Sequence, residues 1–420
     1  MKLLIKGGRV VDPGSGRDEV ADVFVADGKI ASGKGKADQT LDAKGLVVAP
    51  GLIDLAARLR EPGHGYKATL DTEMDAAVAG GVTSVACPPD TAPPLDEPGL
   101  VDMLRRRAKA LSRARVYPVG ALTVKLAGER LTEMSVLAHA GCVAFSQANV
   151  PITDTQVLWR ALQYAATFGF PIWLRAEDKW LSREGVAHDG EVSTRLGLAG
   201  IPAFTETIAL ATMLQLARST GARVHFCRLS TAAAVDMIRA AKKEKLPVTC
   251  DVGIQYVHLS EMDLGYYDSH CRLDPPLRSQ RDREALAAGL ADGTIDCAVS
   301  DHTPVDEDQK QLPFAEAEPG ATGLELLLPL VLKWGAARKL PLAKTLARVT
   351  SDPARILGVQ SGRIEPGAPA DLVLFDPAQA WRVEAAALKS EGKNTPFLGY
   401  ELAGCVRATI VAGRVVYERA

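Results

Sequence analysis

The sequence predicts an α/β fold: a (β/α)8 TIM barrel with a small β-sandwich domain formed by both termini. Three observations predict it. Eight short, near-continuous apolar runs alternate with amphipathic stretches through the middle of the chain, as buried parallel strands do when each is followed by a helix. These units fill roughly 250 residues, which suits a closed barrel better than an open sheet. The first 50 and last 60 residues instead read as short strands cut by Gly, Asp and Pro-Gly turns, so two β-rich ends enclose a different middle.

Taken in order, the N-terminal strands are expected at 3–5, 20–25, 29–30 and 45–48. The barrel strands follow at 52–59, 84–87, 116–120, 142–146, 171–176, 223–229, 247–252 and 297–300, with helices at 71–79, 98–110, 154–168, 206–219, 232–243 and 281–290. After Gly323 the chain reads as helical to about Leu357, an extra layer on the barrel. Strands return at 370–375, 381–383, 405–411 and 414–417. The expected division is therefore 1–50 plus 362–420 for the β domain, 51–322 for the barrel and 323–361 for a helical extension packed on it.

Composition narrows the function. Lys and Arg number 49 against 51 Asp and Glu, a net charge of −2 in 420 residues, so nucleic acid and membrane are not expected partners, although a local basic pocket stays open. The seven cysteines are scattered, odd in number and form no C-x-x-C pair, which excludes a disulfide framework and fits a cytoplasmic setting. No apolar leader follows Met1, and the most apolar run, 324–332, is about half a membrane span.

Barrel chemistry sits at the C-terminal ends of the strands, where the βα loops build one mouth. Here those ends read Asp54 through Arg60, Pro88-Pro89-Asp90-Thr91, Phe145-Ser146-Gln147-Ala148, Leu174-Arg175-Ala176-Glu177-Asp178, Cys227-Arg228-Leu229-Ser230-Thr231, Val252-Gly253-Ile254-Gln255-Tyr256 and Ser300-Asp301-His302. The mouth is polar and rich in arginine.

These segments resemble the dihydroorotase family of the amidohydrolase superfamily over nearly the whole chain. Gly51-Leu52-Ile53-Asp54 with Leu59-Arg60-Glu61-Pro62-Gly63 resembles the family's first-strand signature. Ala79-Gly80-Gly81-Val82-Thr83, Asp90-Thr91-Ala92-Pro93-Pro94, Ala176-Glu177-Asp178, Leu229-Ser230-Thr231, Pro275-Pro276-Leu277-Arg278, Ser300-Asp301-His302-Thr303-Pro304 and Gly392-Lys393-Asn394-Thr395-Pro396-Phe397 follow in the family's order. Each is weak alone; their order is specific.

The resemblance implies hydrolysis of a cyclic amide by a zinc-bound hydroxide. It also implies metal ligands at Ala56, Arg58, Gln147, Arg175, Arg228 and Asp301, and only Asp301 keeps a ligating side chain of the family's kind. A guanidinium stays protonated and offers no lone pair. Each would also repel a zinc ion: at about 4 Å and an effective dielectric near 20, a unit charge pair costs about 4 kcal/mol, and a dication doubles it. The expectation is a pseudoenzyme with no catalytic residue beyond a vestigial Asp301, and with no zinc.

Asp301 reads either as a general base or as an acceptor for Arg58, Arg175 or Arg228, the second being favoured. Arg60 holds the substrate carboxylate in the family and Asp90 stands where the family has Asn; an Asp there would repel a carboxylate, so Arg60 is expected to pair internally, with Asp90 as a candidate. His302 and His225 are expected to be packed histidines and Cys227 a small core residue. The segment 305–314 reads as a lid, a partner contact or a solvated loop. The resemblance implies a structural role beside the aspartate transcarbamoylase catalytic chain, as for the non-catalytic dihydroorotase-like subunits of some bacteria, with a homodimer as the default. Two rivals stand: an active cyclic amide hydrolase with a non-standard metal site, and an anion-binding regulator using the arginine-rich mouth.

Overall fold

A computed structural model describes residues 2–33 and 35–419. Eight parallel strands form the central sheet in chain order: Leu52–Asp54, Val82–Cys87, Arg115–Ala121, Ala144–Ser146, Ile172–Leu174, Val224–Phe226, Val248–Gly253 and Cys297–Val299. Just past its ends the sheet closes. Ala57 bridges His302 in parallel, with Arg58 N donating to His302 O at 2.9 Å and His302 N to Ala56 O at 3.1 Å. Asp54 clamps the same seam, accepting from the Ser300 N at 3.1 Å and from the Ser300 hydroxyl. Burial pushes the Asp54 carboxyl up, against these hydrogen bonds, which favour the charged form.

Strand one is shorter than the expected 52–59. Its regular ladder ends at Asp54; beyond it Ala57 N still donates to Ala86 O of strand two at 3.3 Å, while 56–58 pairs on its other side with His302. The other barrel strands lie within a few residues of expectation, as do the helices Leu70–Ala79, Pro98–Leu111, Thr155–Phe168, Phe204–Thr220, Ala232–Lys243 and Gln280–Asp292. Helix Met134–Ala140 and the short helices Lys179–Ser182 and Glu191–Leu196 were not expected, being too brief for a periodic apolar stripe. Their caps are local: Asp178, for example, accepts from the backbone N–H groups of Trp180 and Leu181 at 3.0 Å.

Both termini build one mostly β unit. Its strands are Lys2–Asp12, Arg17–Ala26, Lys29–Ala31, Gln39–Asp42, Val47–Pro50, Leu372–Arg382, Glu401–Val411 and Arg414–Glu418, joined by one continuous set of strand pairings. The first strand is far longer than 3–5. It runs through a bulge between Ile5 and Gly8, where Gly7 takes φ +73° and a Cβ on Gly8 would meet Val48 at 2.5 Å. The expected strand 381–383 is likewise the far end of Leu372–Arg382, carried on past a register shift between Asp376 and Ala380. Leu3, Ile5, Val10, Val25, Leu372 and Ile410 are among the side chains of its separate core. Helices Leu327–Ala337, Leu342–Ala347 and Ser351–Leu357 follow the barrel, with Trp334 buried and its Nε1–H donating to Ala287 O at 3.0 Å. No helix among the described residues is long and apolar enough to cross a membrane. All seven cysteines are free.

Candidate functional site: an ion-paired barrel mouth

The strand ends converge on a cavity of about 170 Å³ lined by Arg58, Arg60, Asp90, Asn149, Asp274 and Asp301, among others. Four non-glycine residues at these strand ends hold positive φ: Arg60 at 62°, Ala148 at 50°, Arg228 at 56° and Asp301 at 48°. Such backbone costs about 1–3 kcal/mol per residue and persists only where surrounding contacts impose it. At Arg60, Arg228 and Asp301 those contacts include ion pairs.

Arg58 is buried at the centre. Its Nε donates to Asp90 Oδ2 at 2.8 Å, one terminal nitrogen to Thr303 Oγ1 at 3.0 Å and Asp301 Oδ1 at 3.4 Å, and the other to Asn149 Oδ1 at 3.1 Å. Arg228 donates to Asp301 Oδ1 at 3.1 Å and also to Asn149 Oδ1. Asn149 in turn donates to Asp274 Oδ2 at 3.1 Å. Arg175 forks onto both oxygens of Asp274, 2.6 Å from Oδ2, and lies 2.6 Å from Glu177 Oε2. Arg60 Nε donates to Pro304 O at 2.7 Å, and its guanidinium lies 3.8 Å from Glu318, which Lys67 holds at 2.5 Å. Five cations (Arg58, Arg60, Lys67, Arg175, Arg228) thus face five carboxylates (Asp90, Glu177, Asp274, Asp301, Glu318).

Titration follows from this balance. Burial opposes ionisation of Asp90 and Asp274, but the adjacent guanidinium groups outweigh it and hold both carboxyls below their usual range. For Asp301 burial wins: its carboxyl is pushed up despite Arg228 and Arg58, with Asp274 and Asp251 adding repulsion. Arg228 is desolvated, yet Asp301 and Asp274 hold its proton more tightly than usual. Burial pushes the Cys227 thiol well above its ordinary value, with Asp251 adding to the shift, so it is no thiolate nucleophile.

Two expected pairings are corrected. Arg60 does not meet Asp90, because Arg58 lies nearer and takes that carboxylate while Arg60 turns to the last loop. Arg175 does not reach Asp301; Asp274, from the loop before Pro275, lies against it instead. Gln147 is buried but turned aside, accepting from Thr123 Oγ1 at 2.9 Å and donating to Leu126 O at 2.7 Å. Ala56 lines a smaller space of about 30 Å³ beside Arg58, Trp173, Cys227 and Arg228.

His302 lies on the outer side of the seam, its Nε2 2.5 Å from Glu73 Oε2 and its Nδ1 accepting from Gly323 N at 3.1 Å. His225 is buried between Thr249 Oγ1 and Asp251 Oδ2, each at 2.8 Å. The segment 305–314 contains a short helix, Glu307–Gln311, whose Lys310 is buried and donates to Ser269 O at 3.0 Å and Arg272 O at 3.2 Å.

Sequence reasoning missed Asn149, Asp274 and the role of Asn394. Asn394 accepts from Val305 N and donates to Thr303 O and Gly320 O, all at 3.0 Å, pinning the last loop over the mouth. The Gly392-Lys393-Asn394 stretch stood out as a motif, but its task needed the fold. Asn149 and Asp274 gave no signal except their closeness to Gln147 and Pro275.

The chain resembles known proteins throughout. Residues 45–234 match the family model described as "Dihydro-orotase-like", and residues 182–417 match the model "Amidohydrolase family". A "Dihydroorotase-like protein" of Pseudomonas aeruginosa (strain PAO1 among its designations) is 42% identical over 423 residues, covering 100% of both chains. A "Dihydroorotase" of Geobacter sp. (strain M21) is 43% identical with the same coverage. Among solved structures, an L-hydantoinase (dihydropyrimidinase) from Arthrobacter aurescens superposes with a TM-score of 0.87 at 26% identity, over 100% of this chain and 96% of that one. The chain belongs to the dihydroorotase-like family of amidohydrolases.

Proposed function

We propose that this chain is a catalytically silent dihydroorotase-like protein of pyrimidine biosynthesis, serving as an assembly subunit for the aspartate transcarbamoylase catalytic chain. One observation carries the reading. Where the family resemblance places zinc ligands, this chain has Ala56, an aside-turned Gln147, and three arginines that fill the centre with ion pairs. This donor set does not fit a zinc ion. The guanidinium groups have no lone pair, and Asp301, the one carboxylate of the family's set, already accepts from Arg58 and Arg228. Without a metal-activated water there is no nucleophile for a cyclic amide.

Relatives named as dihydroorotases and as dihydroorotase-like proteins stand at nearly equal identity, so overall similarity does not choose between an enzyme and a silent homologue. The mouth residues support the silent homologue. The shared ion pairs also disfavour an anion sensor at the mouth, because each of the five cations facing it lies within 4.0 Å of a carboxylate. A rigid barrel keeps its outer surface when its centre is altered, so a binding role outlasts the chemistry.

The test has two arms. Purified protein is expected to carry no stoichiometric zinc and to turn over neither dihydroorotate nor carbamoyl aspartate; zinc at one equivalent together with turnover would sink the silent-homologue reading. Mixed with the aspartate transcarbamoylase chain of its own source, it is expected to co-elute as one complex by light scattering and to raise transcarbamoylase activity. Separate peaks and an unchanged activity would refute the subunit role.

A further inference from the structure

At the opposite end of the barrel from the mouth, a groove of about 850 Å³ runs between helix Pro98–Leu111 and the C-terminal edge of the β unit. Its floor includes Ala108, Ala114, Val116 and Val416, at the entry of the third barrel strand. One wall is the helix face carrying Asp102, Arg105, Arg106 and Lys109, spaced as neighbours on one side of a helix. The other is the turn Ala412-Gly413 with Arg414.

The charge here departs from the rest of the chain. Residues 105–115 hold six basic side chains and no acidic one, in a protein of net charge −2. Three of them are spent: Arg115 forks onto Asp371 at 2.9 and 3.1 Å, Arg113 reaches Asp75 at 2.5 Å and Arg107 reaches Glu61 at 2.5 Å. The others are available. Among the described residues, Lys109 and Arg414 have no carboxylate within 4.0 Å. Arg106 meets Asp102 only at 3.7 Å with its side chain 83% exposed, a pair of little energetic weight. Arg105 gives one nitrogen to Ala140 O at 2.6 Å and keeps the rest of its fork.

An apolar floor under surplus guanidinium groups, in a volume typical of small-molecule sites and at a junction of two structural units, is a recognisable combination. Arginine's planar fork matches phosphate oxygens two at a time, and the apolar strip suits a flat organic group. We propose that this groove binds a polyphosphorylated small molecule of nucleotide size, with its phosphates on Arg105, Arg106, Lys109 and Arg414. The site lies away from the mouth and does not depend on whether the mouth is catalytic. A ligand there ties a barrel helix to the β unit and stabilises the folded chain by mass action.

The experiment titrates the full chain with ATP, UTP and inorganic triphosphate at physiological salt, by calorimetry and by thermal shift. At least one probe is expected to bind and raise the melting temperature. The exposed triple variant R106A/K109A/R414A is expected to weaken that binding at least about tenfold, while the control K243A/K245A on a distant helix end leaves it unchanged. No binding by any probe up to about 1 mM, or binding that survives the triple variant or falls equally in the control, overturns the proposal. A polyglutamate peptide binding as tightly as the triphosphates would overturn the phosphate assignment. Binding by the nucleotides but not by inorganic triphosphate supports it and adds a contact to the base.

Discussion

The two ends of the barrel use arginine in opposite ways. At the mouth, Arg58 and Arg228 are buried, the Arg175 side chain is largely covered, and each meets a carboxylate within 3.4 Å. At the far end, Arg105, Arg106, Lys109 and Arg414 are exposed, and the carboxylates near them are too few or too loosely held to cancel them. Burial makes the difference. A desolvated guanidinium must be paired or it unfolds its surroundings, whereas a hydrated one tolerates being alone and stays free to meet a ligand. The mouth is closed by its own charge; the groove is open because water stands in for a partner.

The largest effect should come from breaking the mouth. Asp301→Ala leaves Arg58 and Arg228 facing each other without their shared acceptor, and should cost about 3–5 kcal/mol in urea unfolding. A loss below about 1 kcal/mol would mean that the charges are hydrated and the contrast with the groove is false.

Acid should act next, on the same side of the comparison. Asp90 and Asp274 have folded-state pKa values below the ordinary value near 4, so their contribution is fully present above about pH 4 and is lost as pH falls through the lower folded values. Asp301 is shifted the other way, and protonating it relieves part of this loss. Urea midpoints between about pH 6 and 3 should therefore fall on acidification, and a flat profile would count against the ion-paired mouth.

A smaller effect concerns the loop over the mouth. Burial lowers the Lys310 ammonium to about 7, against an ordinary value near 10.5. A base held below its unfolded pKa costs stability at and below the folded value, and that cost disappears as pH rises toward the unfolded one. Proteolysis within 305–319 should accordingly slow between about pH 7 and 9, and Lys310→Met should remove the dependence. If the wild-type and variant loops are cut with the same pH profile, Lys310 is not the latch.

The smallest effect should be at the groove. Lys109→Ala and Arg414→Ala should change folding stability by less than about 0.5 kcal/mol, because both side chains are exposed and without a carboxylate partner among the described residues. A larger loss in thermal unfolding would show that the groove, too, is spent on holding the fold together.

Much of this was legible along the chain. Apolar runs and their alternation with helices located all eight barrel strands, because burial on both faces of a parallel sheet leaves a mark that no turn or cap obscures. The arginines at 58, 175 and 228 were legible as misfits for zinc, since the protonation of guanidinium does not depend on fold. Strand one was overextended because an apolar run such as Leu55-Ala56-Ala57 does not reveal where the regular ladder stops and gives way to single contacts, here from Ala57 to Ala86 and His302.

By itself, then, the sequence determined the architecture and the chemical type at each strand end, because both depend on side-chain polarity in order along the chain. Only the tertiary structure decided who pairs with whom. Asp274, not Asp301, takes Arg175; Arg58, not Arg60, takes Asp90; and Asn149 joins Arg58, Arg228 and Asp274. Ion pairing falls off steeply with separation, and separations of an ångström between residues a hundred positions apart are set by the closed barrel rather than by either residue.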